Sequence, residues 1–233
     1  EINSRNKATL SGRVIGPLEI GSVCDIDQIL SKSISEAYNN GISIGYLNLD
    51  YLKDVDRIII LFPGTTCTGK WGGFGTLGKK SIQLPDGKII HASVSWVFSR
   101  HTRTFLGTST FIPVRLDVIE HELGHNFGLH HANQYECKIN EQFVPFSNNC
   151  QSIEYGNEFS VMGKGFSYFN APELYNIGWL DENNVLTAEE GKYTLSPMYF
   201  PQQQSYPVQL IKIPIKDQSF YKEKEKIYYS LEF

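Results

Sequence analysis

The run His121-Glu122-Leu123-Gly124-His125-Asn126-Phe127-Gly128-Leu129-His130-His131 constrains this chain more than any other. On an α-helix, positions four apart lie about 40° apart in azimuth and about 6 Å along the axis. His121 and His125 therefore aim their imidazoles to one side, with Glu122 beside them. Were the helix to continue, position 131 would stand about 9 Å beyond His125 and point away. A third donor at His131 needs a sharp reversal. Gly128 sits where that reversal must occur, and glycine alone takes positive φ without steric cost. Three imidazoles suit Zn²⁺ and leave a fourth position for water. Glu122 is then placed to take that water's proton as it attacks a carbonyl. With six His and twenty Gly in 233 residues, chance appearance of the five fixed positions is on the order of 10⁻⁵. Histidines merely packed on a helix are a poor account of the run. Neighbouring residues in an extended segment face opposite sides, so a ligand at His131 sends His130 elsewhere.

The rest of the chain reads as a layered domain. Asp25 and Gln28 are spaced as a capping pair, and Ile26, Ile29, Leu30, Ile34, Ala37 and Tyr38 share one helix face. Asn39-Asn40-Gly41 is placed to stop that helix. Arg57–Phe62 is a continuous β-branched run, as expected of a strand buried on both faces, and Pro63-Gly64 ends it. A helix followed by such a strand implies α/β or α+β layering. The glycine-rich stretch Gly64–Gly78 lacks a Gly-Lys-Ser/Thr pattern after its strand, so it reads as close-packed loops rather than a phosphate loop. Ser81–Leu84 and Lys88–Phe98 read as strands joined at Pro85-Asp86-Gly87. Residues 113–127 form the site helix, with Pro113 in its first turn. Beyond His131 the chain is polar and loop-rich until Phe159–Met162, and Ala171–Trp179 reads as a second short helix. From Gly191 onward Tyr193-Thr194-Leu195, Val208–Ile215 and Ile227–Phe233 read as strands. The expected division is a catalytic domain over 1–190 and a β-rich segment over 191–233, the start of a further β module.

A net charge of −4 without any Lys/Arg cluster disfavours nucleic-acid binding. The nearest candidate, Lys222-Glu223-Lys224-Glu225-Lys226, alternates in sign. The longest apolar run, Ile58–Phe62, is far too short for a membrane span. Thirteen Tyr, fourteen Phe and three Trp supply core enough that metal and disulfides are not needed merely to fold. Four cysteines, at 24, 67, 137 and 150, allow three pairings or four thiols. Cys137 and Cys150 bracket the polar stretch after the third donor, and their pairing is the expected one. Loop cysteines favour an oxidising compartment, so export is expected.

Several segments together carry a family resemblance. They are the run His121–His131, then Tyr155-Gly156-Asn157-Glu158-Phe159-Ser160-Val161-Met162-Gly163, Phe169-Asn170-Ala171-Pro172 and Gly178-Trp179-Leu180. Upstream, Asp56–Pro63 and Trp71-Gly72-Gly73-Phe74-Gly75 add to it. The chain resembles the gametolysin family of metzincin peptidases over roughly residues 50–200. That resemblance implies an α+β metzincin catalytic domain, α/β-like in its N-terminal part, with a mixed twisted sheet, an active-site helix and a Met-turn at Met162. It implies a secreted zinc endopeptidase in which His121, His125 and His131 bind Zn²⁺ and Glu122 is the general base. Protein or peptide substrates would lie antiparallel to an edge strand of the sheet, and one of 81–84 and 88–98 is the candidate edge. Some family members carry Gln at the first ligand position, where this chain has His121. Astacin-like and serralysin-like metzincins have Tyr two residues after the Met; Lys164 stands there instead, so a tyrosine ligand at that place is not supported and Tyr168 reads as structural. Room is left for a removed pro-segment and for a further C-terminal domain. Two other classes fit the run: a binding protein that keeps fold and metal without cleaving, and a zinc amidase acting on non-peptide amides. The intact Glu122 argues against the first.

Overall fold

The computed structural model describes residues 4–44, 55–63, 72–99, 101–105, 108–111, 115–165, 168–199, 207–215 and 228–233. Pro113, most of the glycine-rich stretch (64–71) and the alternating charges at 222–226 lie outside the described residues. The architecture is α+β, with few helices and several small sheets. The chain forms two compact units, Ser11–His130 and Glu1–Leu10 with His131–Phe233.

In the first unit, helix α1 (Ile26–Ile44) is capped by Asp25, whose Oδ1 accepts the Gln28 amide at 2.9 Å. Its apolar face buries Ile29, Leu30, Ile34 and Ala37, the three larger side chains contributing roughly 1.5–3 kcal/mol each. The helix runs through Asn39-Asn40-Gly41 rather than stopping there. A helical glycine costs only about 1 kcal/mol against alanine, which is a penalty and not a stop. Strand β4 (Ile89–Ser99) is the sheet's spine. Strand β1 (Arg57–Pro63) pairs parallel with it from Arg57↔Ser93 to Pro63↔Ser99. On its other side β2 (Gly73–Gly75) and β3 (Lys80–Gln83) pair antiparallel, with registers Phe74↔Trp96 and Ile82↔Ile90. The β3–β4 hairpin turns where the sequence placed it, with Gly87 at φ +84° and the Lys88 amide donating to Asp86 Oδ1.

The even-numbered face of β4 (Ile90, Ala92, Val94, Trp96, Phe98) joins Phe62, Ile82, Leu84 and the α1 face in one core. On the opposite face Ile89 and His91 are exposed, but further along Ser93, Ser95 and Val97 are small and wholly inaccessible. Helix α2 (Leu116–Asn126) packs against β4 and β2. Asn126 pins α2 to the sheet. Its amide donates to Thr76 O and Val94 O, each at 3.1 Å, and Ser95 Oγ donates to its Oδ1 at 2.9 Å. A two-stranded ribbon, β5 (His101–Phe105) with β6 (Thr108–Phe111), was not foreseen from the sequence.

The second unit holds two further sheets. Strand β7 (Gln134–Ile139) pairs with β8 (Gln142–Phe143) and with β9 (Cys150–Ile153). The sequence reads as polar loop here, and burial is slight; the ladder is held by backbone pairing and by the Cys137–Cys150 disulfide, whose half-cystines are directly opposite each other. Cys24 is also disulfide-bonded. Helix α3 (Ala171–Asn176) starts at a capping box of Asn170 and Glu173. Strands β10 (Val185–Thr187), β11 (Leu210–Pro214) and β12 (Tyr228–Leu231) make the last sheet, with β10–β11 parallel and β11–β12 antiparallel. The strand expected at Tyr193–Leu195 is irregular; the Tyr193 hydroxyl folds back to bond the Glu189 backbone. No helix among the described residues is long and apolar enough to cross a membrane.

Truncating Asn126 leaves Ser95 Oγ, the buried Val94 carbonyl and the part-buried Thr76 carbonyl without that amide. Asn126→Ala should therefore cost about 2–4 kcal/mol, as expected for buried polar groups stripped of partners. Denaturant unfolding against wild type measures it, and a loss under ~1 kcal/mol would contradict the pinning role.

Candidate metal centre

Helix α2 ends by a mechanism that also builds the site. Phe127 is its C-cap at φ −84°, ψ −2°, and Gly128 follows in the left-handed region at φ +97°. The Gly128 amide bonds His125 O at 2.9 Å and the Leu129 amide bonds Gly124 O at 3.0 Å. This is the pairing of a Schellman turn, which satisfies carbonyls the helix end would otherwise leave open. A Cβ on Gly128 would meet nothing within 4 Å, so φ and not crowding calls for glycine. Leu129, just past the turn, is buried.

The reversal brings the three donors together. One ligand atom from each of His121, His125 and His131 lies within 4.8 Å of the others, a group able to hold a metal ion. The His121 and His125 rings meet edge-on at 4.8 Å. His125 Nδ1 lies 2.7 Å from Leu129 O. A carbonyl only accepts, so Nδ1 carries the proton and Nε2 the lone pair. His131 Nδ1 lies 2.7 Å from Glu154 Oε1, and the same logic leaves the lone pair on its Nε2. Both rings are thus set in one tautomer by a partner behind them, the arrangement metal-ligating histidines use. Neutral nitrogen donors in this number suit a borderline divalent ion such as zinc. His130 is exposed and outside the group.

Glu122 lies in the same helix, 4 % exposed. Burial pushes its carboxyl up to about 8; a neighbouring divalent cation acts in the opposite direction by favouring the charged form. Its seat explains two glycines. A Cβ on Gly73 would come within 2.5 Å of Glu122 Oε1 and 2.8 Å of Val118 Cγ1, and one on Gly75 within 2.7 Å of the Glu122 carbonyl oxygen. Strand β2 is bare so that α2 can lie on it. Among the described strands β2 and β3 have β4 on one side only, whereas β4 is flanked on both. Of the two strands proposed for the edge, β3 keeps that place, and β2 shares it.

The third donor is held differently. The Ala132 amide donates to Met162 O at 2.9 Å, and Ala132 O accepts the Asn157 amide at 3.1 Å. Met162 is wholly buried. Its own amide donates to Ser160 Oγ at 3.0 Å, and that hydroxyl contacts both Glu173 carboxylate oxygens. Burial pushes Glu173 up to about 7, against the Ser160 bond. Tyr168 stacks on Tyr199 at 4.3 Å. Asn126 and Glu154 also serve the site and had no assigned role in the sequence reading, because each acts through a distant partner. Gly73 and Gly75 belong to the stretch read as close-packed loops; the close packing is present, but in a strand.

A family model for the gametolysin peptidases, M11, matches residues 30–198, well over half of the chain. The chain belongs to the gametolysin peptidase family. A curated relative, an autolysin of Chlamydomonas reinhardtii, is 29 % identical over 129 residues, or 53 % of this chain and 14 % of that protein. The chain therefore spans about a seventh of the relative's length. No solved structure matches it.

Gly73→Ala should destabilise by about 1–3 kcal/mol, the usual cost of overpacking, because Glu122 and Val118 must both give way. Gly72→Ala, whose nearest neighbour is Val118 Cγ2 at 3.7 Å, should stay within about 0.5 kcal/mol of wild type. Paired thermal melts test the contrast, and equal shifts would refute it.

Proposed function

We propose that this chain carries the catalytic site of a zinc-dependent endopeptidase acting on extracellular proteins. The observation that carries the reading is the convergence of three imidazoles next to a buried carboxylate on the same helix, in a member of a peptidase family. In this reading His121, His125 and His131 hold Zn²⁺. Zinc so bound supplies Lewis acidity at a fourth position open to water, lowering that water's pKa toward ~7 and polarising the scissile carbonyl. Glu122 takes the proton of the attacking water and returns it to the departing amine. A carboxyl whose burial and neighbouring charge pull in opposite directions is suited to hold and then release a proton near neutrality. Met162 forms the Met-turn of a metzincin fold, with 1–190 as the catalytic domain and 191–233 as the start of a β module. The cysteines among the described residues, none of them free, favour secretion.

Substrate specificity follows from the edge. A peptide adding beside β2 or β3 would be held by backbone pairing, which gives affinity with little sequence choice; beside β2 it would run along the strand on which Glu122 rests. Broad cleavage is expected.

The primary test is cleavage of a mixed protein library, abolished by a chelator and restored by Zn²⁺. Glu122→Ala should keep fold and metal yet lose at least ~10²-fold in turnover, the usual yield of a general base. Near-wild-type turnover in the zinc-loaded variant would sink the mechanism. A second comparison concerns the ligands. After dialysis against a weak chelator, His131→Ala should lose its zinc, while His130→Ala should keep close to one equivalent. The reverse pattern would reassign the third ligand.

A further inference from the structure

Whereas the partner of His125 Nδ1 is a backbone carbonyl, that of His131 is a side chain on a turn. We propose that Glu154 and Tyr155 are positioning residues for the third donor, setting the tautomer and the ring plane in which His131 meets the metal. This rests on His131 being a ligand. Glu154 Oε1 accepts from His131 Nδ1 at 2.7 Å, and the Tyr155 ring lies against the imidazole, centroids 3.9 Å apart and planes inclined by 33°. One residue fixes the ring from its edge, and the next fixes it from its face.

The turn that presents them is over-determined. Tyr155 is a non-glycine residue at φ +58°, a conformation that persists only where the surroundings impose it. Its amide donates to Asn133 Oδ1 at 3.2 Å. Gly156 follows, its amide bonded to Ile153 O at 3.1 Å. A Cβ there would stand 2.3 Å from Gln134 Cβ and 2.9 Å from Gln134 N, so only glycine lets the turn close on the segment after His131. The Asn157 amide then reaches Ala132 O. Residues 131–134 and 153–157 thus prolong the β7–β9 ladder, whose pairs run from Gln134↔Ile153 to Cys137↔Cys150 with the disulfide at the far end. The ladder has little core to bury, and its near end delivers two side chains to one imidazole.

The carboxylate also makes His131 a better donor, since outer partners of this kind raise ligand basicity and typically control 10–100-fold in metal affinity. The test measures Zn²⁺ affinity by competition with a chromophoric chelator, alongside melting of the metal-free proteins. Glu154→Ala should weaken zinc binding by about 10–100-fold, and Glu154→Gln, which keeps an acceptor without the charge, by less. Tyr155→Ala should weaken it and shift the visible spectrum of the Co²⁺-loaded protein, while Tyr155→Phe restores both. Metal-free melting should stay unchanged for the Glu154 variants, because that side chain is two-thirds exposed (67 %). Alanine at both positions holding zinc as wild type does, while His131→Ala releases it, would overturn the proposal and leave the ligand reading intact. A metal-free melt lowered in step with affinity for the Glu154 variants would overturn it too, as a structural role. Zinc retained by His131→Ala would instead refute the ligand reading on which it rests.

Discussion

The left-handed turn at Gly128 is the constraint on which the site depends. A helix carries donors at four-residue spacing outward on one side, and no continuation of it brings back a third. At φ +97° a residue with a Cβ would carry roughly 1–2 kcal/mol of steric strain; glycine does not. The turn closes the last carbonyls of α2 and points Leu129 O at His125 Nδ1. It also starts the segment that reaches His131 three residues after Gly128. Helix termination, the His125 tautomer and chain reversal are one event.

The placement of Glu122 and the stability of the sheet are coupled through the stretch of β4 at Ser93 and Ser95, where the side chains are small. Ser93 and Ser95 are buried there, and Gly73 and Gly75 lie alongside in β2. Small residues let α2 settle close enough that Glu122 is enclosed by backbone. They also sacrifice the apolar area a normal core face would bury, and polar bonds take over. Asn126 has donor and acceptor both satisfied by β4 and the Thr76 turn. The helix is therefore fixed in register by an amide one residue from the second donor. That is a more exacting constraint than interchangeable aliphatic contacts would give, since a shifted helix would strand every group in the network.

The parts legible in the sequence are those whose signal is local. The α1 cap and face, the β-branched strand, the Pro-Asp-Gly hairpin and the site helix each announce themselves within a few residues, although β1 is not buried on both faces as read: Ile59 and Leu61 are exposed. The donor run is legible because its spacing is itself a geometric statement. Other parts failed for identifiable reasons. Helix α1 passes Gly41 because a modest propensity cost yields to what lies around it. Strands β7–β9 looked like loop because their stability comes from backbone pairing and a cross-link, neither of which leaves hydrophobic alternation. Strand β10 lies at Val185–Thr187, where three residues show no period, while Tyr193–Leu195 has strand-like composition but spends its hydroxyl on a local turn. Glu154 was invisible because its partner is 23 residues away.

Two of the three donors owe their geometry to helix backbone, and the third to a ladder with scarcely any core. The consequence is an uneven distribution of rigidity. His121 and His125 are fixed once α2 is docked, whereas His131 depends on Ala132 bonding the Met162 carbonyl, on Asn157 bonding Ala132, and on a turn beyond β9. Local opening proceeds first where buried apolar contacts are few and backbone bonds are exposed, and here that is the segment after the turn. A metal bound by all three imidazoles would draw its affinity partly from closing that segment, and by mass action would stabilise it in return. The disulfide, the positive-φ tyrosine and the buried Met162 would all reduce what such a metal has to order on binding. The polar stretch after the signature, which looks like spacer in the sequence, is thus the part of the molecule on which third-donor geometry turns.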